Sequence, residues 1–307
     1  MLSRTLSRSL ALLTPLLLWG CSDNNISAET ADRQRAAALE VSDREAAAEQ
    51  RLAAVLEAQP DAVKARYEMR HPEKTLAFFG IQPGMTVIEV HPAGAWYTNI
   101  LVPFLGDKGA LIGVDYAPEM YPLFGPRTEE QVARVARWPE KWVTDTRAMA
   151  PGDMQLVAFQ FGALPESLHG RADAVLFIRA LHNLARFEDQ GSFLTTALEE
   201  TYRALRPGGY VGVVQHKAAE DADAQWANGS NGYLKQSTVI KRFEAVGFQL
   251  IEAANFNLNP LDQPTESDFV WRLPPALMTS ADDPQAAQAF RDIGESTRMT
   301  LKFRKPL

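Results

Sequence analysis

The stretch Thr86-Val87-Ile88-Glu89-Val90-His91-Pro92-Ala93-Gly94-Ala95-Trp96-Tyr97 decides the fold. Its first five residues form a short apolar strand carrying an acid near its end, and a turn of small residues then leads into a helix. A strand that turns directly into a helix is how α/β proteins build a nucleotide cradle, because the turn presents backbone N–H groups and a helix start to the ligand. Such turns favour glycine, which adopts positive φ and lets a ligand approach the backbone closely. Here Gly94 is the only glycine, and His91, Ala93 and Ala95 stand at the other turn positions. The segment predicts a cofactor edge and, in the same residues, an obstacle to it.

Outward from this stretch the rhythm repeats. Pro72 sits in the first turn of a helix that runs to Phe79 and stops at Gly80. Ala110–Asp115 is a second continuous apolar strand ending in an acid. Met154–Phe161 and Ala172–Ala180 read as the third and fourth strands, the latter followed by Leu181-His182-Asn183-Leu184. Ser192–Leu205 reads as a helix capped by Ser192. Arg206-Pro207-Gly208-Gly209 then turns the chain into a fifth strand, Tyr210–Gln215, ending at His216. A helix over Thr238–Val246, a strand near Phe248–Ala253 and a last strand at Arg298–Phe303 complete the pattern. Continuous apolar strands alternating with helices imply a mostly parallel sheet covered on both faces, here an α/β domain over residues 61–307. Two irregular stretches interrupt it, Lys217–Gln236 and Asn255–Glu295, and in a compact domain such stretches serve more often as lids or binding loops than as filler.

Three of these elements resemble the class I S-adenosylmethionine-dependent methyltransferases. Pro83-Gly84-Met85-Thr86-Val87-Ile88-Glu89-Val90 is similar to their first motif, with Glu89 in the acidic place. Leu111-Ile112-Gly113-Val114-Asp115 is similar to the strand whose terminal acid grips the ribose hydroxyls, and Leu205-Arg206-Pro207-Gly208-Gly209-Tyr210 to the turn before strand five. More narrowly, Arg70-His71-Pro72, Gly94-Ala95-Trp96-Tyr97, Arg179-Ala180-Leu181-His182-Asn183 and Gly232-Tyr233-Leu234-Lys235 resemble a group of predicted exported or lipid-anchored methyltransferases. Trp271-Arg272-Leu273-Pro274-Pro275 and Gly294-Glu295-Ser296-Thr297-Arg298-Met299-Thr300 extend that likeness to the end of the chain. The resemblance implies a Rossmann-like sheet of seven strands in the order 3-2-1-4-5-7-6, one antiparallel, with helices on both faces. It implies S-adenosylmethionine as cofactor, held by Glu89, Gly94 and Asp115 along a turn of His91, Ala93 and Ala95, with Gln160 near the adenine. The family pattern has glycine at Ala93 and usually at Ala95, and the wider class has one at His91. One added methyl lies where the methionine and ribose pass; two would shift or exclude the cofactor.

The chain has five histidines. In that strand order His91, His182 and His216 follow neighbouring strands, whose carboxyl ends form the ligand edge about 4.8 Å apart. Three readings stand. The histidines with Arg179 could bind an acidic substrate, His182 or His216 serving as general base near neutral pH. His91, His182 and His216 could instead ligate a metal with one open position, although no His-x-x-x-His spacing occurs. Or each histidine holds a loop locally. His71 could join the cluster, whereas His169 sits in a glycine-rich connection apart from it. Arg179 ends an otherwise apolar strand, where an unpaired charge is costly, so an anionic ligand or a partner such as Asp115 or Glu89 is expected. Trp96 and Tyr97 read as pocket wall or core, Asn183 as a substrate-orienting amide or a helix cap, and Glu295 with Arg298 as a salt bridge. The substrate side is assigned to Tyr97, Arg179, His182, Asn183 and His216, with His182 as base.

A net charge of −7 argues against a nucleic-acid surface, which is normally basic. No Gly-x-Ser-x-Gly or phosphate loop occurs, so hydrolase and kinase readings are poor. Arg4 and Arg8 precede the apolar run Leu10–Trp19, and no acid occurs before Asp23, which reads as an export signal over residues 1–20. It ends at Cys21, the only cysteine, and resembles a bacterial lipoprotein signal whose cysteine is lipidated; Ser22 after it is similar to outer-membrane sorting. The expectation is a protein on the periplasmic side, tied to the outer membrane by a lipid on Cys21, without structural disulfides. Residues 21–60 read as a polar tether and a helical extension. Two functions stand side by side: a methyltransferase acting on a small molecule, or a methyltransferase-like scaffold that no longer methylates and binds a small ligand or metal through its histidines.

Overall fold

The apolar run Thr86–Val90 forms β1, which lies between β2 (Ala110–Asp115) and β4 (Ala172–Ile178) and is parallel to both. β3 (Gln155–Gln160) adds outside β2, and β5 (Leu205–Ala218) outside β4. Beyond β5, β8 (Arg298–Arg304) runs antiparallel to it and to the edge strand β7 (Gln249–Ala254). The computed structural model describes residues 28–280 and 282–307, and its sheet has the order β3-β2-β1-β4-β5-β8-β7. The two-residue β6 (Leu234–Lys235) pairs with the end of β5. Apart from β6, this is the expected order with its single antiparallel strand, the fold of class I methyltransferases.

Continuous apolar strands are explained by two cores, one on each face of the sheet. Successive side chains point to opposite faces. Val87, Leu111, Leu176 and Val214 therefore join the core under the helices Pro72–Phe79, Thr98–Leu105 and Trp138–Arg147. Ile88, Ile112, Val175, Phe177 and Val213 join the core under Leu181–Arg186, Phe193–Ala204 and Gln236–Val246. Gly113 in β2 is required by this packing: a Cβ there would lie 2.7 Å from the Trp142 ring.

Several boundaries differ from expectation for local reasons. Pro207-Gly208-Gly209 lies inside β5 rather than before it, where the β4–β5 register shifts between Ala172 and Ala174. Ser192 precedes its helix in the left-handed region and makes no side-chain cap. Glu188 takes that role, accepting from the backbone N–H groups of Leu194 and Thr195. Both irregular stretches are packed, not loose. Trp226 stacks on Tyr233 with ring centroids 5.3 Å apart, and the Tyr233 hydroxyl and Arg272 both donate to the buried Asp262. The second stretch also contains the helix Pro284–Ile293, capped by Asp283.

The extension is a helix, Ala28–Glu57. The chain divides at Arg44 into two compact units. In the second, Ala48, Leu52 and Leu56 are buried, and Arg51 donates to the Pro103 carbonyl at 2.7 Å. The body therefore begins near Glu45, not at residue 61. The first unit is described only as helix, with a Glu40–Arg44 pair one turn apart. No described helix is long and apolar enough to cross a membrane. The expected export signal and Cys21 lie outside the described residues.

Candidate functional site

The carboxyl ends of β1, β4 and β5 open on a cleft of about 460 Å³. Its walls bring together Glu89, His91, Ala93, Gly94 and Tyr97 with Arg179, His182, Asn183 and His216. Ala95, Asp115 and Gln160 do not line it.

After β1 the chain enters the left-handed region three times, with φ of 51° at His91, 47° at Ala93 and 59° at Ala95. The turn has kept the conformation that glycine would favour while carrying side chains. Left-handed backbone costs a non-glycine residue roughly 1–2 kcal/mol, so this shape is maintained against strain. Glu89 is buried beside it and accepts a 2.7 Å hydrogen bond from Thr98 Oγ1. Burial raises its pKa to about 7, against the opposing effect of that bond.

Asp115 ends β2, where the resemblance places the ribose-binding acid, but both its oxygens are already engaged. His91 Nδ1 donates to Oδ1 at 2.7 Å and the Tyr121 hydroxyl donates to Oδ2. The His91 ring also stacks on Tyr116 at 4.3 Å. Gln160 gives its amide to the Val135 carbonyl at 3.1 Å, outside the cleft.

The opposite wall begins at the end of β4. Arg179 is left-handed (φ 59°), and its N–H donates to the Val214 carbonyl at 2.6 Å, pinning the strand end to β5. His182 follows on the helix Leu181–Arg186. Gly229 presses on this helix so closely that a Cβ would lie 2.2 Å from the His182 carbonyl, so the first irregular stretch closes over it. His182 Nδ1–H donates to Gln215 Oε1 at 3.4 Å, which leaves Nε2 with its lone pair. Burial lowers the His182 pKa to about 3, and the His91 and Arg179 charges add to the effect. His216 pairs through Nδ1 with Ser296 Oγ, lies 5.4 Å from the His182 ring, and is likewise held well below the ordinary value by burial. Both imidazoles are neutral near pH 7. The base role expected of His182 suits its position but not its basicity.

The metal alternative fails on geometry. His91 turns its Nδ1 to Asp115, and among the described residues no three His, Cys, Asp or Glu side chains gather as ligands. His71 leaves the cluster too, pairing with Asn257 Oδ1 at 3.1 Å, and His169 is exposed. Asn183 is no helix cap; it donates to the Tyr116 hydroxyl at 3.2 Å. Tyr97 serves both readings, buried in the core and lining the cleft.

The Arg179 side chain meets neither Asp115 nor Glu89. Its counter-ion is Glu295, 3.8 Å away, and that carboxylate is shared with three more arginines. Arg70 Nε and Arg298 Nη1 approach it at 3.1 Å each, and Arg66 bonds to it through Nε and Nη2. Burial pushes the Glu295 carboxyl up, but Arg70, Arg298, Arg179 and Arg66 together hold it below the ordinary range. Arg70 also lies over the Trp96 ring at 4.6 Å. From sequence only the Glu295–Arg298 pair was visible. Arg66 and Arg70 stand more than 220 residues away, and their only signal was the Arg70-His71-Pro72 motif. Tyr121, Ser296 and Trp271 were also missed as parts of the site; Trp271 packs edge-on against His182 at 5.7 Å.

No protein-family model matches the chain. An arsenite methyltransferase of Halobacterium salinarum is 26% identical over 239 residues, covering 75% of this chain and 49% of the relative. The chain thus spans about half the length of the curated relative it matches. Among solved structures, a SAM-dependent methyltransferase from Aquifex aeolicus aligns over 80% of this chain and 98% of its own, at 16% identity and a TM-score of 0.47. An arsenic(III) S-adenosylmethionine methyltransferase from Chlamydomonas reinhardtii aligns over 83% and 73%, at 16% identity and a TM-score of 0.42.

Proposed function

We propose that this protein is an S-adenosylmethionine-dependent methyltransferase acting on a small molecule in the cleft at the ends of β1, β4 and β5. The observation that carries the reading is the edge formed by β1 and β2: a buried acid at Glu89, a turn held left-handed at residues 91, 93 and 95, and an acid ending β2. Strain kept where no core packing demands it points to a ligand site. The residues fit the cofactor with one exchange. Glu89 and the turn from His91 to Ala95 would flank its methionine end, and Asp115 would take the ribose hydroxyls in place of His91. His91 is partly exposed and able to give way.

The bound cofactor supplies an electrophilic methyl group on a sulfonium. The chain's own part is alignment of the nucleophile, which is where methyl transfer gains most. Tyr97, Arg179, His182, Asn183 and His216 form the substrate side. Neutral His182 presents Nε2 as a hydrogen-bond acceptor to a nucleophile carrying a proton. Glu89, at about 7, is the cleft group best matched to take one near neutral pH. The relative's arsenite is not carried over: arsenic(III) is soft and favours thiolate, and Cys21 is the only cysteine.

Calorimetric titration of the full chain with S-adenosylmethionine and S-adenosylhomocysteine tests the proposal. Binding in the micromolar range is expected; no heat up to millimolar concentration sinks it. A silent titration would select the other reading, a scaffold that no longer methylates. The lipid anchor is likewise a proposal, resting on Arg4, Arg8 and Leu10–Trp19 before Cys21. Palmitate labelling in a Gram-negative host should be lost in Cys21→Ser; labelling that survives would refute the anchor.

A further inference from the structure

Around Glu295 four guanidinium groups meet a single carboxylate in a mostly buried setting. Positive charge is in excess there, and buried charge in excess of its partners is strongly unfavourable unless something balances it. The least satisfied member is Arg179. Its only counter-ion contact is the long 3.8 Å approach to Glu295, and its guanidinium makes no hydrogen bond among the described residues. Arg179 lines the cleft, so the N–H donors of its guanidinium are available to a ligand there. Arg70 spends Nε on Glu295 and lies flat over Trp96, its two Nη nitrogens making no hydrogen bond among the described residues. The indole Nε1 of Trp96 and Nε of the buried Arg298 are also without partners among the described residues. The backbone agrees: Arg179 is one of the few non-glycine residues held at positive φ, which aims this side chain from the end of β4 into the cleft wall.

We propose that Arg179, backed by Arg70 and Arg66, binds the oxyanion group, carboxylate or phosphate, of a small substrate in this cleft. Glu295 organises the arginine forks, and the incoming anion supplies the missing negative charge through paired N–H donors. Trp96 and Trp271 offer aromatic walls for the rest of the molecule. That this anion is a substrate rests on the methyltransferase reading; that the site takes an anion does not.

The test is titration of the full chain, without cofactor and in chloride buffer, with benzoate, phenyl phosphate and neutral benzamide, followed by tryptophan fluorescence. At least one of the two anions should bind, weaken with added salt, and exceed benzamide by about tenfold or more, as expected for charge-assisted paired donors. Stronger phenyl phosphate than benzoate assigns a phosphate ester, and the reverse a carboxylic acid. Arg179→Gln should weaken the anion about tenfold or more while leaving benzamide unchanged. Arg179→Lys should recover only part, because an ammonium lacks the fork. If Arg179→Gln fails to fold, Arg66→Gln, at a partly exposed side chain of the same cluster, should weaken the anion severalfold. Benzamide binding as tightly as the anions, no binding by either anion, or equal affinity in the folded arginine variants would each overturn the proposal. None of these results depends on S-adenosylmethionine, so failure of the anion titration and failure of the cofactor titration are distinguishable.

Discussion

The two walls of the cleft handle charge in opposite ways. Behind the β1–β2 wall, Asp115 is a buried acid with both oxygens committed to His91 and Tyr121, beside the strained turn. On the β4–β5–β8 side, four arginines share one acid, and Arg179 is left nearly unbonded. One wall is closed on itself and must open to take a ligand; the other is incomplete and lacks one. An anion-binding group is pre-organised by excess charge, whereas a cofactor must first compete with an internal hydrogen bond.

The largest effect should come from breaking the arginine wall. Glu295→Gln removes the only carboxylate found among the four guanidiniums in the described residues. Uncompensated buried charge of this kind is expected to destabilise by roughly 3–5 kcal/mol. Urea unfolding at pH 7 measures it, and added sulfate should recover part of the loss in the variant far more than in the wild type. A loss within about 0.5 kcal/mol, typical of an exposed pair, would show that the cluster is solvated and the contrast between the walls mistaken.

Next in size is the pH dependence, where the walls differ in sign. His182, at about 3, and His216, held well below its ordinary value, bind fewer protons folded than unfolded. Their stabilisation is present above pH 6.5 and is lost as pH falls towards 3, and Glu295, also depressed, adds to the loss at the acid end. Glu89 acts oppositely. Its folded pKa of about 7 lies above the ordinary 4.5, so its favourable contribution is present below 4.5 and is lost as pH rises to 7. Glu89→Gln should therefore steepen the rise of stability with pH between 4.5 and 7, because the opposing contribution is gone, while His182→Gln should weaken that rise from pH 6.5 down towards 3. Unfolding free energies across pH 4–8 decide; a Glu89→Gln profile parallel to wild type would place that carboxyl in water.

The legible parts were those whose cause is local. Strand periods, Pro72, Gly80 and the turn after β1 each carry their reason within a few residues, so the elements and the cleft edge could be anticipated, while the sheet order came from the resemblance. Glu295's partners could not, because Arg66 and Arg70 meet it across most of the chain length through packing rather than spacing. His182 and His216 were placed at the edge correctly, but their basicity depends on burial, which no motif records. His91 was ambiguous for a different reason. Its carboxyl partner stands 24 residues on, so whether the ring faced the cleft or β2 rested on a rotamer.

The smallest and sharpest tests lie in the closed wall. His91→Gly removes a left-handed non-glycine residue and the donor on Asp115 together. Relief of strain and loss of the hydrogen bond roughly cancel, so stability should change by less than about 1 kcal/mol. Cofactor affinity need not follow stability. With Asp115 released, S-adenosylmethionine no longer has to displace an internal donor, and its affinity should rise roughly tenfold. Ala93→Gly and Ala95→Gly provide the control, because they ease the same turn without touching Asp115. Glycine loses more conformational freedom on folding, which offsets the strain relieved, so each should be within about 1 kcal/mol of wild type. If His91→Gly raises affinity and the two alanine variants do not, the obstacle is the hydrogen bond on Asp115. If only the alanine variants raise it, the obstacle is the added methyl groups, and the closed wall is closed by volume rather than by charge.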